Sequence, residues 1–175
     1  MNTTDATLPL LQAMQIYFQG EKIEALVFIL PGGLLSLVFG IWLLTDHPDA
    51  FARGVAIPCL AMGLLMTTVG AVVGYRAPAQ AAQLQAALQT APQATQAAEV
   101  RRMDKVNNAW KYYLALWATF GVAGLVLRFA PASDFAQGLG IALVFYAGVG
   151  MLVDGFAERR TRPYVSVLAV PLASR

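Results

Sequence analysis

The sequence predicts an all-α fold, a four-transmembrane-helix bundle built from two parallel helical-hairpin repeats. Three observations predict it. First, 58% of the 175 residues are hydrophobic and only 13% are charged, where a soluble domain carries about 25% charged residues. Second, the apolar residues collect into four long runs. Ala25 to Thr45 and Gly54 to Tyr75 carry no charge, Tyr112 to Leu127 lies uncharged between Lys111 and Arg128, and Phe135 to Val153 is the fourth. Third, one motif occurs twice, at the start of the second run and again at the start of the fourth.

A bilayer core of about 30 Å needs about 20 apolar residues as helix. Three runs meet that length. The third reaches it by extending to Ala109 and Ala130 if Lys111 and Arg128 snorkel to the interfaces. Spans are expected near 23–45, 53–75, 109–130 and 136–157. A water-soluble four-helix core would need polar outer faces, which these runs lack.

Charge sets the expected orientation. Lys22 lies before the first run; Arg76, Arg101, Arg102, Lys105 and Lys111 lie between the second and third; Arg159, Arg160, Arg162 and Arg175 follow the fourth. Only Arg53 and Arg128 fall in the two short loops. That bias predicts a multi-pass protein of the bacterial inner membrane with both termini and the middle segment in the cytoplasm. No cleavable signal is expected, because the first run is too long and follows a single basic residue.

The extramembrane parts read as follows. In 1–22, Leu8, Leu11, Met14 and Phe18 recur at helical spacing and predict a short amphipathic helix, on the membrane surface or leading into the first span. The Ala/Gln-rich stretch 76–108 predicts a helical hairpin that prolongs spans two and three, with a stop and restart at Thr90-Ala91-Pro92. A disordered linker is the alternative, since Ala and Gln pack little core. The basic tail 158–175 reads as a topology signal in contact with anionic lipid.

The repeat rests on Phe51-Ala52-Arg53-Gly54-Val55-Ala56-Ile57 and Phe135-Ala136-Gln137-Gly138-Leu139-Gly140-Ile141. The step that takes Phe51 to Phe135 also takes Gly40 to Gly124, Val69 to Val153 and Arg76 to Arg160. Glu21-Lys22-Ile23 matches Asp104-Lys105-Val106 with a slip of one position. Each copy holds two spans, so both copies keep one orientation, the geometry of a parallel repeat. The repeat also bears on Tyr17-Phe18-Gln19-Gly20, which resembles the end of a tag-removal protease site. Its following Glu-Lys-Ile has an internal counterpart, so the stretch is expected to be native, with Tyr17 and Phe18 as interfacial aromatics.

Two sets of residues are candidates for function. Ala56, Cys59, Gly63, Thr67, Gly70 and Gly74 form one small-residue face of span two. Such a seam lets helix backbones approach, either against span one or four or against a partner's helix. The second set is ionisable. Asp154 lies about one turn inside span four and is expected to pair with Lys111 on the neighbouring span; Glu24 is expected to pair with Arg76. Pro31-Gly32-Gly33 interrupts span one, and Pro58 falls early in span two. The equivalent positions of the second copy hold Ala115-Leu116-Trp117 and Ala142, so a kink is expected rather than an ion site.

Enzyme signatures are missing. His47 is the only histidine and Cys59 the only cysteine, which leaves no metal set, no nucleophile with a base and no disulfide. No phosphate loop or dinucleotide fingerprint is present. No cofactor and no nucleic acid is expected. The expected partners are membrane lipids and another membrane protein or a second copy of the chain. The expected function is non-enzymatic, through protein–protein interaction: an accessory subunit, or an immunity protein that blocks a membrane-directed toxin. The alternative is a small ion- or drug-coupled transporter.

Overall fold

A computed structural model of the chain describes residues 3–130 and 133–172, with side chains from Thr7 onward. Pro131 and Ala132 of the second short loop, and Arg175 of the basic tail, lie outside the described residues. The fold is all-helical. Helix α1 covers Thr3–Ile23, a π-helical turn covers Glu24–Ile29, and α2 covers Leu30–Asp46. Then follow α3, Ala50–Thr90, α4, Pro92–Phe129, and α5, Asp134–Leu168. Four of the helical stretches are long and apolar enough to cross a membrane.

Local chemistry explains the breaks. Pro31 has no N–H to donate, and the helix ahead of it widens: Leu30 N–H reaches the Ala25 carbonyl, five residues back. The expected kink at Pro31 is thus a π turn. Ala91 leaves helical geometry at φ −143°, ψ 67° because Pro92 follows it. The Asp49 side chain caps α3 by accepting from Ala52 N–H at 2.8 Å. Ser133 caps α5 by accepting from Ala136 N–H at 3.2 Å. The two capping residues stand at matching positions, each two before the phenylalanine of its F-A-x-G motif.

The molecule has two halves with opposite packing. In the apolar half, α2 pairs with α3, α3 with α5, and α5 with α4. Among the described residues no comparable pairing joins α2 to α4 or to α5. The helices therefore stand in an open row, α2–α3–α5–α4. Large side chains face outward: Leu35 is 70% exposed, Phe145 61% and Phe129 72%. Glycine brings the helices together. A Cβ on Gly54 would strike the Phe135 carbonyl, and a Cβ on Gly138 would strike the Phe51 carbonyl, so the two F-A-x-G segments cross in reciprocal contact. Gly40 lies on Leu60, and the step that takes Phe51 to Phe135 takes this pair to Gly124 and Val144, which also lie in contact.

In the polar half, α1, the end of α3, the start of α4 and the end of α5 enclose the larger buried cluster, with Met14, Tyr17, Met103 and Tyr164 at its centre. Three expectations change here. The buried face of α1 is Leu10, Met14, Tyr17 and Phe18, while Leu8 is 47% exposed. Tyr17 and Phe18 are core residues rather than interfacial ones, because α1 docks against α3 and α5 instead of lying on a surface. The segment from 158 to 168 is no free tail. It continues α5, and Thr161, Tyr164 and Leu168 are buried.

Gly138→Leu should lower the thermal midpoint in detergent sharply, since overpacking costs about 1–3 kcal/mol even against side chains that can move and the obstacle here is backbone. Gly148→Leu, where nothing lies within 4 Å of an added Cβ, should be tolerated. Equal midpoints for the two variants would show that the α3–α5 crossing does not hold the fold.

Candidate functional site

The small face of α3 is spent on its neighbour. Gly63 lies against Leu37, Gly70 against Leu30 and Gly74 against Leu26. Thr67 sits under Gly33, its hydroxyl buried without a partner among the described residues. Ala56 is buried beside Leu43, and the Cys59 carbonyl accepts from Ser36 Oγ at 2.7 Å. All six residues thus line the side toward α2, the π turn before it or the core.

Two clefts flank the row. One, of about 1260 Å³, runs between α2 and α5 above α3. Its walls are Phe28, Leu35 and Phe39 on one side and Phe145, Leu152 and Phe156 on the other. The hydroxyls of Ser36 and Tyr146 meet at its floor. The Glu24–Arg160 ion pair closes its polar-half end, and His47 and Asp49 mark the other.

The second cleft, about 180 Å³, holds Asp154. Trp117 on α4 lies over Gly150, where any Cβ would displace the indole, and donates its Nε1–H to Asp154 Oδ2 at 2.6 Å. A half-buried indole N–H needs an acceptor, and this acid supplies it. The expected Asp154–Lys111 pair is absent. Lys111 lies six residues before Trp117, about 9 Å along the helix axis, and is exposed with its ammonium over the Tyr112 ring.

The expected Glu24–Arg76 pair is also replaced. Glu24 pairs with Arg160, and Arg76 lies 3.9 Å from Glu21. The reason is that α1 packs against the end of α5 as well as α3, which brings Arg160 under Gly20 and over the Tyr17 ring.

Sequence reasoning missed the buried polar group of the polar half. Glu99, 6% exposed, takes two hydrogen bonds from Arg102, at 2.7 and 2.6 Å, and one from the Tyr164 hydroxyl at 2.8 Å. Burial, then the Glu99 charge, push the Tyr164 hydroxyl well above its usual range, so it stays protonated and donates. Tyr164 also stacks on Tyr17, with centroids 4.8 Å apart. Gln96 donates to the Leu168 and Val170 carbonyls and accepts from Leu172 N–H, holding the end of α5 against α4. The signal missed was a lone Glu in an Ala/Gln-rich helix.

Among the described residues no group of three or more His, Cys, Asp or Glu could hold a metal ion. Compared with protein-family models, curated proteins and solved structures, the chain matches none.

Tyr164→Phe should cost about 1–3 kcal/mol, the range for stranding a buried polar group, read as a lower denaturation midpoint. Asp154→Asn and Lys111→Met should add within about 0.3–0.5 kcal/mol in a double-mutant cycle, as independent sites do. A larger coupling would restore the ion pair that the structure lacks.

Proposed function

We propose that this is a multi-pass protein of the bacterial inner membrane, with both termini cytoplasmic, that works without catalysis by binding another protein in the membrane. An accessory subunit and an immunity protein that neutralises a membrane-directed toxin both fit that description. The observation that carries the reading is the open row of helices. Only 6% of the apolar window of α4 is buried inside the molecule, against 28% for α3 and α5. An assembly partner beside the row would cover surface that the chain leaves open. Outward Leu and Phe side chains over the whole apolar half favour lipid over water around it. The reciprocal Gly54–Gly138 crossing, the matching Gly40 and Gly124 contacts and the two caps support descent from one duplicated hairpin.

One observation favours transport as a second reading. Asp154 sits in the apolar half with no cation within ion-pair distance among the described residues, and intramembrane acids are kept where they act on ions or substrates.

A photo-reactive residue at Phe145 or Leu125, irradiated in native membranes, should yield a crosslinked second protein. Crosslinks to lipid and to this chain only would sink the interaction reading. Topology has its own test. With Cys59 replaced by Ala, Pro48→Cys and Ala132→Cys should label only from outside the cytoplasm, and labelling from the cytoplasm would invert the proposed orientation.

A further inference from the structure

Among the described residues, five acids stand partly or fully buried along the helices, and four of them have a cation. Glu21 faces Arg76, Glu24 faces Arg160, Glu99 faces Arg102 and Glu158 faces Arg162. The fifth, Asp154, has the Trp117 N–H alone among the described residues. Yet it lies deepest in the apolar half, where a lone charge is costliest.

Helix packing does not require Asp154. The step that takes Phe51 to Phe135 takes Gly33 to Trp117 and Gly70 to Asp154. In the first hairpin α2 and α3 close directly at these positions, Gly33 on Thr67 and Gly70 on Leu30. The hairpin α4–α5 carries a bulky donor and an acid where its counterpart closes with glycine.

The surroundings state what the acid can take. Trp117 occupies Oδ2 and fixes the carboxylate, which leaves Oδ1 as an acceptor. The adjoining cavity is lined by Met62, Met66, Tyr146 and Val149. Those side chains suit the alkyl stem of a basic residue, and the neighbouring ring faces suit its head. At about 180 Å³ the cavity falls below the about 300–1,000 Å³ of small-molecule pockets, so it accommodates the end of one side chain rather than a whole ligand. Its rim residues Ile29, Val69 and Trp117 lie four to six residues inside the ends of their apolar runs, about 6–9 Å deep.

We propose that the Asp154 cleft receives a lysine or arginine side chain from the transmembrane helix of a partner, carried about 6–9 Å inside the cytoplasmic boundary. The proposal rests on the interaction reading and names the chemistry of its partner. The uncovered flank of α4 leaves room for that helix beside the cleft.

The test uses the full chain in phosphatidylcholine vesicles and synthetic Leu-Ala transmembrane peptides, with association read by energy transfer. One peptide carries Lys about five residues from its cytoplasmic end; the others carry Leu there, or Lys near the opposite end. The first should associate at least tenfold more tightly than either control. Asp154→Asn, which still offers Trp117 an acceptor and should keep its helical signal and midpoint, should abolish that preference. Asp154→Glu should retain it, and serves as the readout if the Asn variant does not fold. Equal association of all peptides with the native chain would overturn the proposal, as would a Lys preference that survives Asp154→Asn. Asp154-dependent binding of tetraphenylphosphonium without any Lys preference would overturn it in favour of a small organic cation. A protein crosslinked at Phe145 or Leu125, with no Lys preference in vesicles, would remove this site and leave the interaction reading standing.

Discussion

The apolar half depends on backbone-to-backbone contact at glycine. In the membrane proposed for this protein, an apolar solvent would offer no hydrophobic drive to bring helices together, so association there would rest on close packing. At Gly54 and Gly138 the α3 and α5 backbones touch each other's carbonyls, and no side chain stands between them. That crossing sets how α2, held on α3 by Gly63 and Gly70, sits relative to α4, held on α5 by Gly124, Gly140 and Gly150. Because α3 and α5 cross directly, α2 and α4 fall on opposite ends of the row. Two clefts open as a consequence of the row rather than as separate features.

The polar half is built on the other logic. It buries methionine, leucine and tyrosine side chains from four helices, as a water-soluble core does. It also buries charge, and every lone pair it hides is costly unless matched. Glu99 answers this with three hydrogen bonds from Arg102 and Tyr164. The Glu24–Arg160 pair and the Glu21–Arg76 contact lie where the two halves join. They tie α1 to α5 and α3 at the level where the chain passes from one kind of packing to the other. The π turn at Glu24–Ile29 occupies the same level, so the acid that binds Arg160 sits on the widened turn.

Much of this was legible in the amino-acid order. Four apolar runs, the break before Pro92 and the small face of α3 are local or periodic properties, and they read directly. The partners of the charged residues did not. Glu24 had Arg76 at a plausible level, and only the docking of α1 against α5 brings Arg160 closer. Asp154 had Lys111 near the same end of a neighbouring span, but a depth of six residues along α4 separates that lysine from the acid's real contact. Tyr17 and Phe18 looked interfacial because aromatic residues beside a span are ordinarily so. Their burial follows from a tertiary contact between α1 and Tyr164, far along the chain on α5. Pairings over such separations carry no periodic signature.

The correspondence between the two hairpins is most informative where it fails. Matching positions that keep their residue type, Gly54 with Gly138 and Gly40 with Gly124, are the ones that hold helices together. Positions 33 and 70 against 117 and 154 differ in size, polarity and charge at once. A packing role would favour the small residue in both hairpins, since the first shows that the helices close well without a side chain there. The indole and carboxylate at 117 and 154 add bulk between α4 and α5 and place an acid in the apolar half where no cation among the described residues reaches it. Such a cost is consistent with a group that is completed from outside the chain, and it separates Asp154 from every other acid that the fold pairs internally.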